Sequence, residues 1–177
     1  MISKQKIFCQ RKHLCRRVQH SCNLVSVQHQ LQRQQFLPSA STVQQWQLPA
    51  QGCCKCNIDT AFPEQFQQTG IGICLRDDSG TFFLARLLYF NSIYPVAVGE
   101  SLGLFHALQW MHDMQFDNID FELDSKITTD AFHSRRTDVT EFGNIIDACR
   151  DIFTTSFTNS RVEFTRRLMI FQGKPLP

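Results

Sequence analysis

Three short segments in the middle of the chain are rich in apolar and aromatic residues, which is typical of β-strands. They cover residues 53–61, 70–76 and 81–90. Residues 77–80, with the sequence Asp-Asp-Ser-Gly, join the second segment to the third. Asp and Ser tolerate turn positions and Gly supplies a positive φ, so this link favours a tight antiparallel hairpin. The pattern therefore predicts a three-stranded β-meander.

The hydrophobic period changes to that of a helix at residue 98. Leu104, Leu108 and Met111 recur at helical spacing, which predicts an amphipathic helix that ends near residue 115. Residues 119–123 then alternate apolar and acidic side chains, as a half-buried strand does. A strand, a helix and a further strand therefore follow one another in the centre of the chain.

Two more helices and a last strand complete the predicted order. A helix is expected over residues 125–133, and a firmer one follows, in which Asp138 and Glu141 resemble an N-terminal cap. Its apolar stripe consists of Phe142, Ile145, Ile146, Cys149, Ile152 and Phe153. Residues 160–167 alternate again and predict the final strand. The order is β-β-β-α-β-α-α-β, which is typical of an α/β fold.

The first 50 residues differ from the rest of the chain in charge and composition. They contain seven of the 18 basic residues and no acidic residue, so the other 127 residues hold 11 basic and 16 acidic side chains, a formal charge of −5. Residues 28–47 are rich in Gln and have no apolar period. We expect a basic, Gln-rich linker or disordered tail over residues 1–50, one domain over residues 51–167 and a divergent tail over residues 168–177.

Composition excludes several classes of protein. No apolar run approaches the ~20 residues that a membrane-spanning helix needs, so no membrane partner is expected. The basic N-terminus lacks the apolar stretch of a secretory signal, which favours a nuclear or cytoplasmic protein and leaves an organellar transit peptide as an alternative. The eight Cys residues are then expected to be reduced thiols. The Cys and His residues of the basic segment lack a Cys-x-x-Cys half-site, which disfavours zinc.

Three carboxylates occupy unusual positions in this interpretation. Asp59 lies inside the first strand of the meander, Glu100 in the first turn of the first helix, and Asp124 at the exit of the fourth strand. Singly, each has an ordinary explanation: a solvated strand acid, an acid that complements the helix dipole, or an N-cap. Together on neighbouring elements they would repel one another unless a cation bound them. Hard oxygen ligands prefer Mg²⁺ or Mn²⁺, which predicts two-metal phosphodiester chemistry.

Four motifs in a fixed order give the sequence a resemblance to a known family. They are K-x-N-x-D from Lys55, G-x-G-x-x-x-R-D from Gly70, G-E-x-x-A-L from Gly99, with Gly103 in the place of Ala, and E-x-D-S from Glu122. Together they resemble the reverse-transcriptase-like ribonuclease H domains that are abundant in plant genomes and related to retroelements. The resemblance covers about residues 46–167.

This resemblance implies a ribonuclease H-like fold with a five-stranded mixed sheet, in which the first three strands are antiparallel and helices flank the sheet. It implies that Asp59, Glu100 and Asp124 are catalytic residues and the first three of four acidic ligands for Mg²⁺ or Mn²⁺. The implied activity is endonucleolytic hydrolysis of the RNA strand of an RNA–DNA hybrid, with structured RNA as an alternative nucleic-acid partner. The implied products carry a 5′-phosphate and a 3′-hydroxyl.

The chain also departs from the family pattern. Thr60 stands where the family often has Gly, and Gly103 where Ala would precede Leu104. No Asp or Glu occurs after Glu163, whereas the family continues into a helix that bears the fourth carboxylate. We therefore expect the C-terminal helix to be missing, as in a truncated or alternatively spliced product, and hydrolysis to be impaired. The alternative functions are an inactive module that binds nucleic acid or protein, and an inert, poorly folded fragment.

Four arginines are candidates for contacts with nucleic-acid phosphates, whereas three histidines are assigned no function. Arg135, Arg136, Arg166 and Arg167 flank the predicted domain and are the better candidates for phosphate contacts. The basic run over residues 11–17 fits a nucleic-acid contact, a nuclear signal, a transit peptide or a solvated tail. His106, His112 and His133 receive no role, because a satisfied or exposed His on a helix is the commoner case.

Overall fold

A mixed β-sheet and three helices form the framework of the protein in the computed structural model, which describes residues 4–9 and 47–165. The strands are β1 (Lys4–Cys9), β2 (Cys54–Ala61), β3 (Thr69–Arg76), β4 (Phe82–Phe90), β5 (Ile119–Leu123) and β6 (Arg161–Phe164). The helices are α1 (Val96–Asp113), α2 (Lys126–His133) and α3 (Glu141–Ser156), and a single 3-10 turn covers Glu64–Phe66.

The six strands of the described residues lie in the order β1-β4-β3-β2-β5-β6. Strands β2, β3 and β4 pair antiparallel through short connections, as the meander pattern predicts. Strand β5 joins β2 in parallel after α1, and β6 joins β5 in parallel after α2 and α3. The mixed sheet predicted from the sequence is thus confirmed, and the two central parallel strands are β2 and β5.

The period-two pattern gives the central strands one apolar face and one polar face. The apolar face presents Cys56, Ile58 and Phe121 to the core, and all three are fully buried. Leu104 and Leu108 of α1 belong to the same cluster, since they lie one helical turn apart on the stripe that the sequence predicts. The polar face presents Lys55, Asn57 and Asp59 of β2 beside Asp120 and Glu122 of β5.

One strand was not predicted. Strand β1 lies within the segment interpreted as a linker or disordered tail, and it pairs antiparallel with β4, from Lys4 opposite Tyr89 to Cys9 opposite Leu84. Strand pairing depends on the open backbone groups of a neighbouring edge, and local sequence does not reveal which edge is open. Residues 1–3 and 10–46 of that segment, including the basic run over residues 11–17, lie outside the described residues.

One predicted helix cap is wrong, and the alternative in which Asp124 caps α2 is excluded. Thr140, and not Asp138, caps α3, because the Thr140 hydroxyl accepts a hydrogen bond from the Gly143 amide. Ser125, and not Asp124, caps α2, since the Ser125 side chain accepts from the Thr128 amide. The shorter hydroxyl side chains lie directly next to the helix entry in both cases. Asp124 is thereby left outside the cap of α2.

The predicted C-terminal features fall mostly outside the structure described. Strand β6 ends at Phe164, three residues before the predicted end, and the Thr165 amide donates to the Leu123 carbonyl. The predicted loss of the last helix and the predicted tail over residues 168–177 lie outside the described residues, as do Arg166 and Arg167. Within the described residues, no helix has the length and apolar character needed to cross a membrane.

Candidate active site

Three cross-strand pairs, here called rungs, line the polar face where β2 and β5 run in parallel. Because the two strands are parallel and adjacent, paired residues point to the same face with backbones about 4.8 Å apart. The recorded register aligns Asn57 with Glu122 and Ile58 with Leu123, so Asp59 and Asp124 occupy the next positions. Two rungs, Lys55–Asp120 and Asn57–Glu122, are paired in the structure, and Asp59–Asp124 is the next rung that this register implies.

The first rung is closed by a basic residue from the neighbouring strand. Arg161 of β6 lies opposite Asp120 and donates two hydrogen bonds to its carboxylate, at 2.7 and 2.9 Å. These hydrogen bonds and the charge of Asp120 raise the pKa of Arg161 above its ordinary value. A two-bond contact of this kind is specific in geometry as well as favourable in energy. The contact between Arg161 and Asp120 therefore links β6 to β5 at the level of the first rung.

The second rung is a buried polar cluster around Glu122. The Lys55 ammonium lies 2.8 Å from Glu122 Oε1, and Asn57 Nδ2 donates to Glu122 Oε2 at 2.8 Å. Lys55 Nζ also donates to the Gln47 carbonyl at 2.8 Å, which ties the entry of the domain to β2. Lys55, Asn57 and Glu122 are 6, 3 and 5% exposed. Both carboxylate oxygens of Glu122 thus have a donor in a site nearly free of solvent.

The third rung consists of two acids at the carboxyl ends of the two central parallel strands. Asp59 is the sixth residue of β2 and Asp124 directly follows β5, and both are half-buried. Two carboxylates on adjacent positions of neighbouring strands repel each other, and a bound cation removes that repulsion. The third rung is accordingly the place on this face where a divalent cation fits the chemistry of the side chains.

Helix α1 brings Glu100 to the same end of the sheet. Its first turns lie close to β2, because a Cβ atom on Gly99 would meet Phe62 at 2.4 Å and Thr60 at 3.5 Å. Glu100, the next residue, is 7% exposed. Asp59 and Asp124 thus each lie one residue beyond the last recorded pair of β2 and β5, and Glu100 lies in the helix turn that packs on the end of β2.

The side chains of the three predicted acids have the chemistry of a hard-cation site. Their oxygen donors suit Mg²⁺ or Mn²⁺. Within the described residues, no group of three or more His, Cys, Asp or Glu side chains has the arrangement that holds a metal ion. The assignment of Asp59, Glu100 and Asp124 as ligands therefore stays a prediction.

The two departures around the site compensate for each other. A Cβ atom on Gly103 would lie 3.0 Å from Thr60 Oγ1 and 3.1 Å from Ile58 Cγ2. Thr60 is larger than the Gly that the family often has, and Gly103 is smaller than Ala, so the space that one residue takes is released by the other. Helix α1 can thereby stay close to β2 at the level of Glu100.

The histidines lie away from the rungs. His106 is surrounded by the rings of Phe90 and Phe105, at 5.5 and 5.4 Å between centroids. Burial, with a smaller contribution from the charge of Arg86, lowers the pKa of His106 to about 4. A His133 ring nitrogen lies 2.8 Å from the Val162 carbonyl oxygen, in a structural contact between α2 and β6.

The polar cluster around Glu122 is the part of the site that the sequence analysis missed. The period-two alternation of β2 puts Lys55 and Asn57 on the face of Asp59, but it assigns no partner to Glu122. A signal existed, because Glu122 stands two residues before Asp124 just as Asn57 stands two residues before Asp59. Equal spacing on two parallel strands puts the two residues on one rung.

The sequence of the folded domain matches a known protein family. The profile of the family described as reverse transcriptase-like matches residues 57–170, which include all three predicted acids. A search of the curated proteins finds no match in sequence.

Solved structures with a similar fold include ribonucleases H from several sources. Ribonuclease H1 from the halophilic archaeon Halobacterium salinarum NRC-1 is 17% identical, with a TM-score of 0.59 over 69% of this chain and 92% of that one. LC11 ribonuclease H1, solved in complex with an RNA/DNA hybrid, is 13% identical, with a TM-score of 0.56 over 65% of this chain and 86% of that one. Prototype foamy virus protease-reverse transcriptase is 9% identical, with a TM-score of 0.53 over 74% of this chain and 19% of that one. These similarities show that the fold is ribonuclease H-like.

Proposed function

Because the chain belongs to the reverse transcriptase-like family, we propose that it binds RNA–DNA hybrids and hydrolyses their RNA strand with the help of divalent cations. The observation that carries the proposal is the parallel pairing of β2 with β5, whose register ends at Ile58 and Leu123, one residue before Asp59 and Asp124. The plant and retroelement relationship suggested by the four motifs belongs to the same proposal.

A hybrid duplex suits the chemistry of this face better than a specific base sequence does. Duplexes with an RNA strand are recognised mainly through shape, phosphates and 2′-hydroxyl groups. Arg135 and Arg136 lie in an exposed loop after α2 and offer phosphate contacts. The ribonuclease H1 that resembles this chain and was solved with an RNA/DNA hybrid supports this choice of substrate.

Asp59, Asp124 and Glu100 are the residues proposed to hold Mg²⁺ or Mn²⁺. When bound, such ions activate a water on one side of the phosphodiester and stabilise the leaving oxygen on the other. The role of the protein is to hold these carboxylates at one end of the sheet. Asp59 lies in β2, Asp124 follows β5, and Glu100 lies in α1, which packs closely on β2.

A second function is favoured by one observation. Within the part of the chain that the structure describes, no group of three metal-binding side chains is assembled. A domain that binds the hybrid without cleaving it is therefore the alternative, with nucleic acid or a protein as its partner.

One experiment separates these functions. A hybrid with a labelled RNA strand is incubated with the chain in Mg²⁺ or Mn²⁺, and binding is measured in parallel by fluorescence anisotropy in EDTA. The proposal expects cleavage that Asp59→Asn lowers about 100-fold or more, because a lost carboxylate removes several kcal/mol of charge stabilisation. Asp130→Asn, which changes an exposed acid on α2, is the matched control and should cleave normally.

The outcomes are distinct. Binding without cleavage supports the non-catalytic module, and cleavage that Asp59→Asn leaves intact contradicts the proposed site. A chain that neither binds nor cleaves, although it melts cooperatively, rules out both functions. Lack of a cooperative melting transition would identify a poorly folded fragment.

A further inference from the structure

We propose that the buried cluster of Lys55, Asn57 and Glu122 sets the cation affinity of the neighbouring Asp59–Asp124 rung. Lys55 and Glu122 are then positioning residues. Their charges act on the bound cation through space, without contact with it. This role rests on the proposed function, because it assumes that the third rung binds a divalent cation.

The contacts hold the cluster in one place. Glu122 has donors on both carboxylate oxygens, from Lys55 and from Asn57, each at 2.8 Å. Lys55 is also anchored to the Gln47 carbonyl at 2.8 Å. Two residues of a strand span about 6.6 Å, so the second rung lies within a Debye length of the third at physiological ionic strength. Charges fixed at this distance influence the third rung through space.

Stability alone does not explain a buried ion pair at this position. The desolvation of two charges offsets most of their attraction, and apolar side chains of similar size often replace such pairs without loss of stability. The apolar face already carries the core, in which Ile58 and Phe121 are fully buried. The ion pair is instead placed one rung from two carboxylates, where its charges have an electrostatic consequence.

The balance of charge on this face gives Lys55 particular weight. The polar face of β2, β5 and β6, with Asp124, carries five acids, namely Asp59, Asp120, Glu122, Asp124 and Glu163. Its basic residues are Lys55 and Arg161, and Arg161 is bound to Asp120 and also lies 3.3 Å from Glu163. The Lys55 ammonium instead lies on Glu122 of the second rung, so its charge sits one rung from Asp59 and Asp124.

Changes of the two charged partners should shift cation affinity in opposite directions. Glu122→Gln keeps the shape of the side chain and leaves the positive charge of Lys55 unbalanced, so Mn²⁺ should bind roughly tenfold more weakly. Lys55→Met leaves the negative charge of Glu122 unbalanced, so Mn²⁺ should bind roughly tenfold more tightly. A role limited to structure would weaken Mn²⁺ binding in both variants.

The test measures the Mn²⁺ dissociation constant of the full chain by isothermal titration calorimetry and by the Mn²⁺ electron paramagnetic resonance signal. Lys55→Arg, which keeps the charge, and Lys55→Met combined with Glu122→Gln, which balances it, should both return the dissociation constant to within about twofold of the unsubstituted chain. Lys126→Met removes one partner of an exposed ion pair on α2 and should change nothing. Melting curves identify any variant that fails to fold.

The results separate this inference from the proposed function. Mn²⁺ binding that is absent, or that survives Asp59→Asn, overturns the proposed cation site and with it the role of the cluster. Mn²⁺ binding that depends on Asp59 but shifts in the same direction in Glu122→Gln and Lys55→Met, or shifts in neither, overturns the inference alone. If Lys55→Met does not fold, the isosteric Glu122→Gln decides, because an unchanged dissociation constant there contradicts the proposal.

Discussion

Lys55 and His106 are two polar residues that burial affects in different ways. Lys55 lies on the polar face with the Glu122 carboxylate 2.8 Å away, whereas His106 lies on α1 among aromatic rings and near the positive charge of Arg86. An opposite charge makes a buried cation tolerable, and a like charge in an apolar setting favours the neutral form. At the scale of the single residue, Lys55 is therefore a buried cation with a carboxylate partner, whereas burial, with a smaller contribution from Arg86, favours the neutral form of His106.

His106 predicts a dependence of stability on pH. Its pKa is about 4 in the folded protein and 6.5 as an ordinary value, so below pH 6.5 the unfolded chain binds a proton that the folded chain does not. The stability that neutral His106 supports is complete above pH 6.5 and is lost as the pH falls from 6.5 towards 4. The loss is on the order of 2 to 3 kcal/mol.

Urea denaturation at pH 7, 5.5 and 4.5 measures this effect against His106→Gln, which does not titrate. The free energy of unfolding of the unsubstituted chain should fall more steeply with acid than that of the variant. Parallel plots of the free energy of unfolding against pH for the two proteins would show that His106 does not contribute to the pH dependence of stability.

Helix α1 and strand β2 position Glu100 and Asp59 through close contact between the two elements. The contact needs small residues on the helix, since Gly99 faces Phe62 and Gly103 faces Ile58 and Thr60. Thr60 Oγ1 is buried and has no hydrogen-bond partner among the described residues, so its position reflects packing rather than polar pairing. At the scale of elements, the fit of this interface determines how the two acids approach each other.

Gly103→Ala should destabilise the protein. The added methyl group lies within 3.1 Å of Thr60 and Ile58, and overpacking costs about 1–3 kcal/mol, of which the better helix propensity of Ala offsets up to about 1 kcal/mol. Thr60→Ala alone should be nearly neutral, because it removes a buried hydroxyl that has no partner. Combined with Gly103→Ala, it should recover more than half of the loss.

Chemical denaturation of the single and double variants measures this coupling. Gly70→Ala is the matched control, because a Cβ atom there would have its nearest contact at an ordinary 3.7 Å, on the side chain of Tyr89. Strictly additive effects of Gly103→Ala and Thr60→Ala would contradict the compensation between the two positions.

Charge is distributed unevenly over the whole molecule. Residues 1–50 hold seven basic residues and no acid, and the rest of the chain has a formal charge of −5. A nucleic acid attracted to such a protein could be held by the N-terminal segment or by the folded domain. Arg135 and Arg136 are exposed on the domain, whereas Arg16 and Arg17 lie in the basic run that the structure does not describe.

The domain should provide the contacts that depend on phosphate charge. Arg135→Gln with Arg136→Gln should weaken hybrid binding and lower the slope of log affinity against log salt by up to about 2, since each lost phosphate contact removes nearly one unit. Arg16→Gln with Arg17→Gln changes the same charge in the N-terminal segment and should have the smaller effect. Anisotropy titrations from 50 to 300 mM salt compare the two, and a larger effect of the N-terminal pair would assign the phosphate contacts to that segment.

Local periodicity and motif order determined much of the fold. Strand β5 matches its predicted bounds, and the other predicted strands and helices agree within a few residues, because alternation and helical spacing are properties of neighbouring residues. The same periodicity placed Asp59, Lys55 and Asn57 on one face of β2. The parallel pairing of β2 with β5, whose register ends one residue before Asp59 and Asp124, is shown only by the tertiary structure.

By itself, the sequence determined the elements, the polar face of β2 and the membership of the three acids in one ordered motif set. The tertiary structure alone decided that Glu122 pairs with Lys55 over a separation of 67 residues, that Thr60 fills the space left by Gly103, and that β1 pairs with β4. The physical reason is that register, interlocking side chains and open sheet edges arise only when distant segments pack together, and no local pattern encodes the distance between them.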